Sequence, residues 1–303
     1  MKRLLIITLC ITLFSCAQAQ RWKAYRYEVD YGLGATNFLG ELGGANQIGT
    51  NYFKDLEFSQ TRLAANVGLR YKINEYLASK FNFFYGKVAG NDRLTQEYFR
   101  KYRNLSFKSN IYELSVNLEA SFMKEQVGHR YRLRGIRGQR GFEMYTYAFM
   151  GVGAFYFNPK ANLGGTWYAL QPLGTEGQGI IASRKPYSRL QLCVPVGFGF
   201  KYTIDRRWGV GLEYGIRKTW TDYIDDVSTT YYDNDAIRKA HGDVSADLAD
   251  RSDGGKSQSD KSRPEITGSG QQRGDPRDHD SYMFAILSIN YKLVTGRNNL
   301  PKF

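Results

Sequence analysis

Residues 189–220 read RLQLCVPVGFGFKYTIDRRWGVGLEYGIRKTW, and their alternation decides the fold. Leu190, Leu192, Val194, Val196, Phe198, Phe200, Tyr202 and Ile204 share one face. Arg189, Gln191, Cys193, Pro195, Gly197, Gly199, Lys201 and Thr203 share the other. A period of two is the mark of a strand whose sides differ chemically. Asp205-Arg206-Arg207 reads as a tight turn. After it Trp208, Val210, Leu212, Tyr214, Ile216 and Trp220 face one way, with Gly209, Gly211, Glu213, Gly215 and Arg217 opposite. The two runs predict a hairpin with arms about twice the usual ~5–6 residues of a soluble strand.

The same pattern recurs outward from this hairpin. Its apolar faces are Tyr25, Tyr27, Val29, Tyr31 and Leu33 in 25–35, and Leu63, Ala65, Val67, Leu69, Tyr71 and Ile73 in 62–73. Leu77, Phe81, Phe83 and Tyr85 continue the pattern after an Asn74-Glu75 turn. Tyr112, Leu114, Val116, Leu118, Ala120 and Phe122 carry it in 111–122, and Met283, Ala285, Leu287, Ile289, Tyr291 and Leu293 in 281–293. Segment 145–157 is apolar on both faces, and Ala148, Met150, Val152, Ala154 and Tyr156 are assigned to the outside. Eight such segments predict an all-β protein, an eight-stranded antiparallel transmembrane β-barrel with long extracellular loops.

Three further readings favour lipid on the apolar face. Strands of this length suit a tilted crossing of the bilayer. Gly32, Gly68, Gly197, Gly199, Gly209, Gly211 and Gly215 lie on the polar face, where small residues relieve crowding in a narrow barrel. Trp208 and Trp220 lie on one face; at ~3.3 Å per residue and ~40° of tilt they sit roughly 30 Å apart along the axis, one in each interfacial girdle.

Composition agrees. The chain has 303 residues, 32 Gly, 23 Tyr and 18 Phe but only 7 Pro, a balance that disfavours helical bundles, collagen and proline-rich linkers. Mean hydropathy is −0.49, and no run of apolar residues long enough for a spanning helix follows the N-terminus. Three Cys and three His make a zinc framework or a disulfide scaffold a poor fit.

Met1-Lys2-Arg3 followed by the apolar run Leu4 to Phe14 reads as an export signal. Ala17-Gln18-Ala19 predicts cleavage that leaves Gln20 first, giving a signal peptide over 1–19 and a barrel domain over 20–303. Leu13-Phe14-Ser15-Cys16 resembles a lipoprotein box, with a bulky Phe14 where such boxes carry a smaller or aliphatic residue. Cleavage would leave Cys193 as the lone cysteine, read as a small strand residue rather than a nucleophile.

With the N-terminus inside, the turns at 74–75 and 205–207 are periplasmic, and the connections 36–61, 89–110, 158–188 and 221–280 are external. Residues 123–143 break the rule of short periplasmic turns. They carry Lys124, Arg130, Arg132, Arg134, Arg137 and Arg140 against Glu125 and Glu143. This turn is either a solvated hairpin or a docking element for a periplasmic partner, and Arg130, Arg132, Arg134, Arg137 and Arg140 are the candidate partner-binding residues. Outer-membrane lipids are the expected surroundings; nucleic acid is not an expected partner in this compartment.

Segment 221–280 holds 14 Asp or Glu against 8 Lys or Arg. Its 240–280 part has almost no large apolar residue and reads as a mobile, partly disordered surface segment that cannot fold alone. Arg273-Gly274-Asp275 within it is either an adhesion tripeptide or a chance triplet. Asp222, Asp225, Asp226, Asp233 and Asp235 offer oxygen ligands for Ca²⁺, without an EF-hand-like spacing.

His129, His241 and His279 fall in connections, and no Ser, Cys or carboxylate stands at a telling distance from them. No catalytic, cofactor or metal residue is assigned. Arg26, Glu28, Asp30, Arg62, Arg70, Lys72, Lys80, Glu113, Glu119, Arg189, Lys201, Glu213, Arg217 and Lys292 are expected inside the barrel. Their mixed signs predict an ion-pair network in a filled interior rather than a pore.

Three stretches carry a family resemblance. They are EVDYGLGATNFLGELGG at 28–44, the segment from Ala148 through FNPKA at 157–161 to LQPLGTEGQG at 170–179, and TDYIDDVSTTYYD at 221–233. Together they resemble PorG-like outer-membrane barrels of the Bacteroidota type IX secretion and gliding machinery. The acidic segment after Asp233 exceeds that pattern. The resemblance implies a non-enzymatic secretion component that associates with the periplasmic ring of the lipoprotein PorK and its partner PorN. The alternative is a structural or adhesive small barrel acting through its outer loops, or a minor channel.

Overall fold

The computed structural model describes residues 21–42, 58–123, 144–205, 207–252 and 266–295. The predicted signal peptide over 1–19 and the five candidate arginines between 130 and 140 lie outside the described residues.

The alternating runs form β1 (Tyr27–Leu39), β2 (Arg62–Lys72), β3 (Leu77–Asn91), β4 (Ser106–Ser121), β5 (Met144–Phe157), β8 (Leu190–Thr203), β9 (Trp208–Thr219) and β10 (Ser281–Leu293). Each pairs antiparallel with its neighbour in this order, and the β1–β10 ladder from Tyr27↔Leu293 to Leu39↔Ser281 closes the barrel. Closure leaves no open edge among these strands, as hydrocarbon requires. A short hairpin, β6 (Lys160–Leu163) and β7 (Thr166–Ala169), stands off the outer rim and touches β4 at Lys108↔Lys160. No helix of the described residues is long and apolar enough to cross a membrane. The two tight turns are built alike. The Asn74 side-chain oxygen accepts from the Tyr76 and Leu77 amides at 2.7 Å, and that of Asp205 accepts from the Arg207 and Trp208 amides at 2.7 Å.

Along β4 exposed and buried residues alternate from end to end. The wall is inverted relative to a soluble protein: Leu63, Leu33 and Val152 are 80%, 73% and 69% exposed, whereas Arg217 and Glu113 are 0% exposed. An apolar belt that surrounds a barrel far exceeds the patch a soluble monomer tolerates, and lipid is the solvent that satisfies it. The outward assignment of Ala148, Met150 and Val152 in β5 holds.

Inside, charges pair. Arg70 bonds Glu28 and Glu119 at 2.5 Å each, and Lys201 bonds Glu28 at 2.8 Å. Lys80 sits between Asp30 at 3.1 Å and Glu213 at 2.9 Å. Arg217 holds Glu113 at 2.8 Å, and the Tyr282 hydroxyl donates to the same carboxylate at 2.8 Å. Such charges are tolerated in a low-dielectric interior only because each has a partner. Gly68 shows why the lining includes small residues: a Cβ there would lie 2.6 Å from both Asp30 Oδ1 and Lys80 Cε.

Four expectations need correction. The inward face is not only Gly, Ser, Asn and charge. Phe84, Tyr147, Phe149, Phe155 and Phe284 are buried there as well, because a closed barrel must be filled by volume as well as neutralised. Arg62 is exposed at the first residue of β2, where the wall ends, and donates to the Ser59 and Thr61 carbonyls. β1, β3 and β4 run on to Leu39, Asn91 and Ser106, into the predicted loops, because their ladders continue there. Finally, the 240–280 segment, read as mobile, holds regular structure among its described residues. α2 (Asn234–His241) and α3 (Asp243–Ala249) bury Ile237, Ala246, Leu248 and Ala249. Sequence composition cannot show that Ile180 and Tyr232 cover the first, second and fourth of these, or that Leu248 joins the main core.

Candidate functional site

The outer mouth is where the structure concentrates its unusual chemistry. It is built from the end of β1, the β3–β4 connection, the segment after β7 and the β9–β10 connection.

The β3–β4 connection carries α1 (Tyr98–Arg103), capped by the Glu97 side chain, which accepts from the Phe99 and Arg100 amides. Asp92 is fully buried and accepts from Arg100 at 3.2 Å, Arg103 at 2.8 Å and the Leu105 amide at 3.1 Å. Arg103 also donates to the Arg273 carbonyl at 2.6 Å and the Glu41 carbonyl at 3.0 Å. One guanidinium therefore ties three connections together with a fork of donors that lysine lacks.

Glu176 is the second centre. Its carboxylate accepts from the Ser228 amide at 2.9 Å, the Thr229 hydroxyl at 2.7 Å and Arg273 at 2.9 Å. Arg273 also donates to the Asp226 carbonyl. Thr175 donates to Asp226 at 2.5 Å, and the Tyr187 hydroxyl donates to its other oxygen at 2.7 Å. Burial pushes Asp226 up to about 6, with Arg273 opposing. Gly177 has φ +81°, and a Cβ there would lie 2.6 Å from the Tyr232 ring, so the turn behind Glu176 admits only glycine without strain.

Glu41, Asp222 and Asp280 form a third group, with one oxygen of each within 4.8 Å of the others. That spacing would suit oxygen ligands around a divalent cation at ~2.3–2.6 Å. Burial, reinforced by Asp222, pushes Glu41 up to about 9; burial, with Asp225 and Glu176, pushes Asp222 up to about 9. The five aspartates singled out by sequence do not assemble as one ligand set. Asp225 accepts from the Leu42 and Val227 amides, Asp226 faces Arg273, and Asp233 caps α2. Loop backbone amides and a guanidinium claim these oxygens first.

Arg273-Gly274-Asp275 is likewise not an accessible tripeptide, since Arg273 is 3% exposed and clamped by Glu176. Cys193 is buried, with its sulfur 3.9 Å from the Tyr282 hydroxyl, whose proton is held by Glu113. Trp208, the first residue of β9, and Trp220, the residue just after its last, are 46% and 61% exposed. The Trp208 ring lies 4.6 Å from that of Tyr291.

The mouth residues Glu41, Arg103, Glu176 and Arg273 were not singled out as a site from sequence. The available signal was Gln171-Pro172-Leu173-Gly174-Thr175-Glu176-Gly177, a run that a generic barrel does not need. In the structure the three stretches that carry the resemblance meet here. The first brings Glu41 and Leu42, the second Thr175 and Glu176, the third Asp222 to Thr229.

Comparison with known proteins adds the following. The family model described as a domain of unknown function (DUF6089) matches residues 2–166. No curated protein matches the sequence. Among solved structures, Neisserial surface protein A is similar at 9% identity and a TM-score of 0.38, over 88% of this chain and 96% of that one. Ail, the attachment invasion locus protein of Yersinia pestis, is similar at 9% identity and a TM-score of 0.37, over 88% and 96%. The outer membrane protein OprG of Pseudomonas aeruginosa is similar at 8% identity and a TM-score of 0.34, over 90% and 97%.

Proposed function

From the premise that this chain belongs to the DUF6089 family, we propose that it is a non-enzymatic outer-membrane component of a type IX protein secretion and gliding machinery. In this reading it anchors a periplasmic ring of the PorK and PorN kind to the outer membrane. The observation that carries the reading is the convergence at the mouth. Three stretches far apart in sequence resemble PorG-like barrels, and they bond one another there through the carboxylates of Glu176, Asp225 and Asp226. A generic small barrel needs no such cap. The anchoring half of the proposal rests on the basic 123–143 turn. Arginine forms paired hydrogen bonds with carboxylates, so an acidic face on a ring protein would satisfy it.

The test is co-purification from detergent. Wild type is expected to bring down periplasmic ring proteins. Changing Arg130, Arg132, Arg134, Arg137 and Arg140 together to Gln should leave the barrel assembled and heat-modifiable but reduce that recovery, as a high-salt wash of wild type should. Wild type that recovers no ring protein would favour the alternative, a structural or adhesive barrel acting through its folded outer cap. A quintuple variant that keeps the ring and secretes normally would leave the turn a solvated extension.

A further inference from the structure

On the outer wall, Lys108 of β4 and Lys160 of β6 are direct cross-strand partners. Lys87 of β3 is the diagonal neighbour of Lys108, because Ala89 pairs with Lys108 and Lys87 with Asn110. Like charges placed directly opposite destabilise a sheet. No ion pair to a carboxylate relieves these three among the described residues. With Arg62 they line a depression of about 500 Å³ whose floor includes Tyr112 and Tyr156. The Lys108 ammonium lies 3.1 Å from the centre of the Trp167 ring, a contact that draws charge but neutralises none.

The height of this cluster is readable from β4. Its exposed face runs Lys108, Asn110, Tyr112, Leu114, Val116, Leu118 from the outer end inward. The last three belong to the apolar belt. Tyr112, with its ring 5.2 Å from that of Tyr85, has the place of an interfacial aromatic. Lys108 is four residues further out, about 13 Å along the strand and less along the axis. That height is level with the headgroups of the outer leaflet, above the hydrocarbon.

We propose that Lys87, Lys108, Lys160 and Arg62 form a site on the outer wall for a phosphate-bearing lipid of the outer leaflet, with its acyl chains lying against the apolar belt below. The phosphate resolves the Lys108–Lys160 repulsion. Trp167 and Tyr112 flank the headgroup. Two phosphates on one headgroup fit better than one, because the four cations come from four different strands and no single phosphate reaches them all equally. This site is independent of any ring partner, and its test needs none.

The full chain in a neutral detergent is titrated with diphosphoryl lipid A, monophosphoryl lipid A or inorganic phosphate, and the temperature at which heat-modifiability is lost is followed. Diphosphoryl lipid A should raise that temperature, monophosphoryl lipid A should raise it less, and inorganic phosphate at equal phosphate concentration should leave it nearly unchanged. The triple variant Lys87→Gln, Lys108→Gln, Lys160→Gln should bind diphosphoryl lipid A at least about tenfold more weakly. Without lipid it should be as heat-resistant as wild type or more so, since it removes a repulsion. Arg207→Gln, at the periplasmic end, should bind as wild type does. Unchanged lipid binding by the triple variant overturns the proposal. An equal shift with inorganic phosphate overturns the lipid assignment in favour of a free-anion site. A triple variant less stable than wild type in lipid-free detergent would show that the lysines are structural.

Discussion

Arg273 donates to Glu176 at 2.9 Å across 97 residues of sequence, with both side chains buried. This contact makes the first residue of the Arg273-Gly274-Asp275 triplet a clamp between two external connections. It also fixes the approach of Gly274, whose Cβ, were there one, would lie 2.8 Å from the Ser228 backbone.

Replacing Arg273 with Ala leaves the Glu176 carboxylate buried with one charge unopposed. Breaking a buried pair from one side costs about 3–5 kcal/mol. The expected outcome is faster limited proteolysis between residues 221 and 280, with the barrel still heat-modifiable. Equal proteolysis rates would show that the clamp does not hold the cap. Peptides containing the triplet should not compete with any surface binding of the protein.

The wall makes its own prediction. Leu212 is 51% exposed on the outer face of β9. Arg placed at Leu212 or Val194 should cost about 2–4 kcal/mol near the bilayer midplane, read as a lower urea midpoint for unfolding in lipid vesicles. The inward-register Gln191, changed to Arg, should cost far less. Equal small effects at all three positions would exclude lipid as the solvent of this face.

The interior should not conduct. Arg217–Glu113, Lys80–Asp30–Glu213 and Arg70–Glu28–Lys201 fill it, with the rings of Tyr145, Tyr147, Phe84 and Phe284 lying among them. Planar-bilayer recording of purified protein is expected to give no stable, reproducible single-channel steps. Glu113→Gln should weaken the barrel by about 3–5 kcal/mol because Arg217 is then buried unpaired.

The mouth should weaken with rising pH. Asp222 is pushed up to about 9 by burial, whereas an unfolded aspartate titrates near ~4. An acid with a raised folded value binds a proton when folded over a window in which the unfolded chain does not. Its stabilising effect is full below about 4 and is lost as pH rises through about 9. Glu41 acts in the same direction, and the charges that face the pair are Asp225, Asp280, Glu176 and Arg103. Hydrogen exchange of the Leu42 and Ile224 amides, measured with EDTA present, should accelerate between pH 6 and 9 by the clock-corrected rate. Asp222→Asn should flatten that rise. A wild-type rate without pH dependence after correction would remove the buried acid from the account.

The barrel was legible in the chain itself because its alternation is local. Which side of Val194 meets lipid follows from residues 189–204 alone, since neighbouring side chains in a strand point to opposite faces whatever they pack against. The glycines and paired turn residues Asn74 and Asp205 are local for the same reason. The cap is different. Glu176 gains its meaning only when Ser228, Thr229 and Arg273 arrive from other connections, and no period or spacing encodes that meeting. The fold of 234–249 is also a tertiary decision: Ile237, Ala246 and Ala249 pack on one another and against Ile180 and Tyr232 of other segments, while Leu248 joins the main core. The lysines at 87, 108 and 160 look like scattered solvated charges until strand pairing sets them side by side. Sequence determines the face a residue presents, but only the register between strands determines which charge stands opposite it.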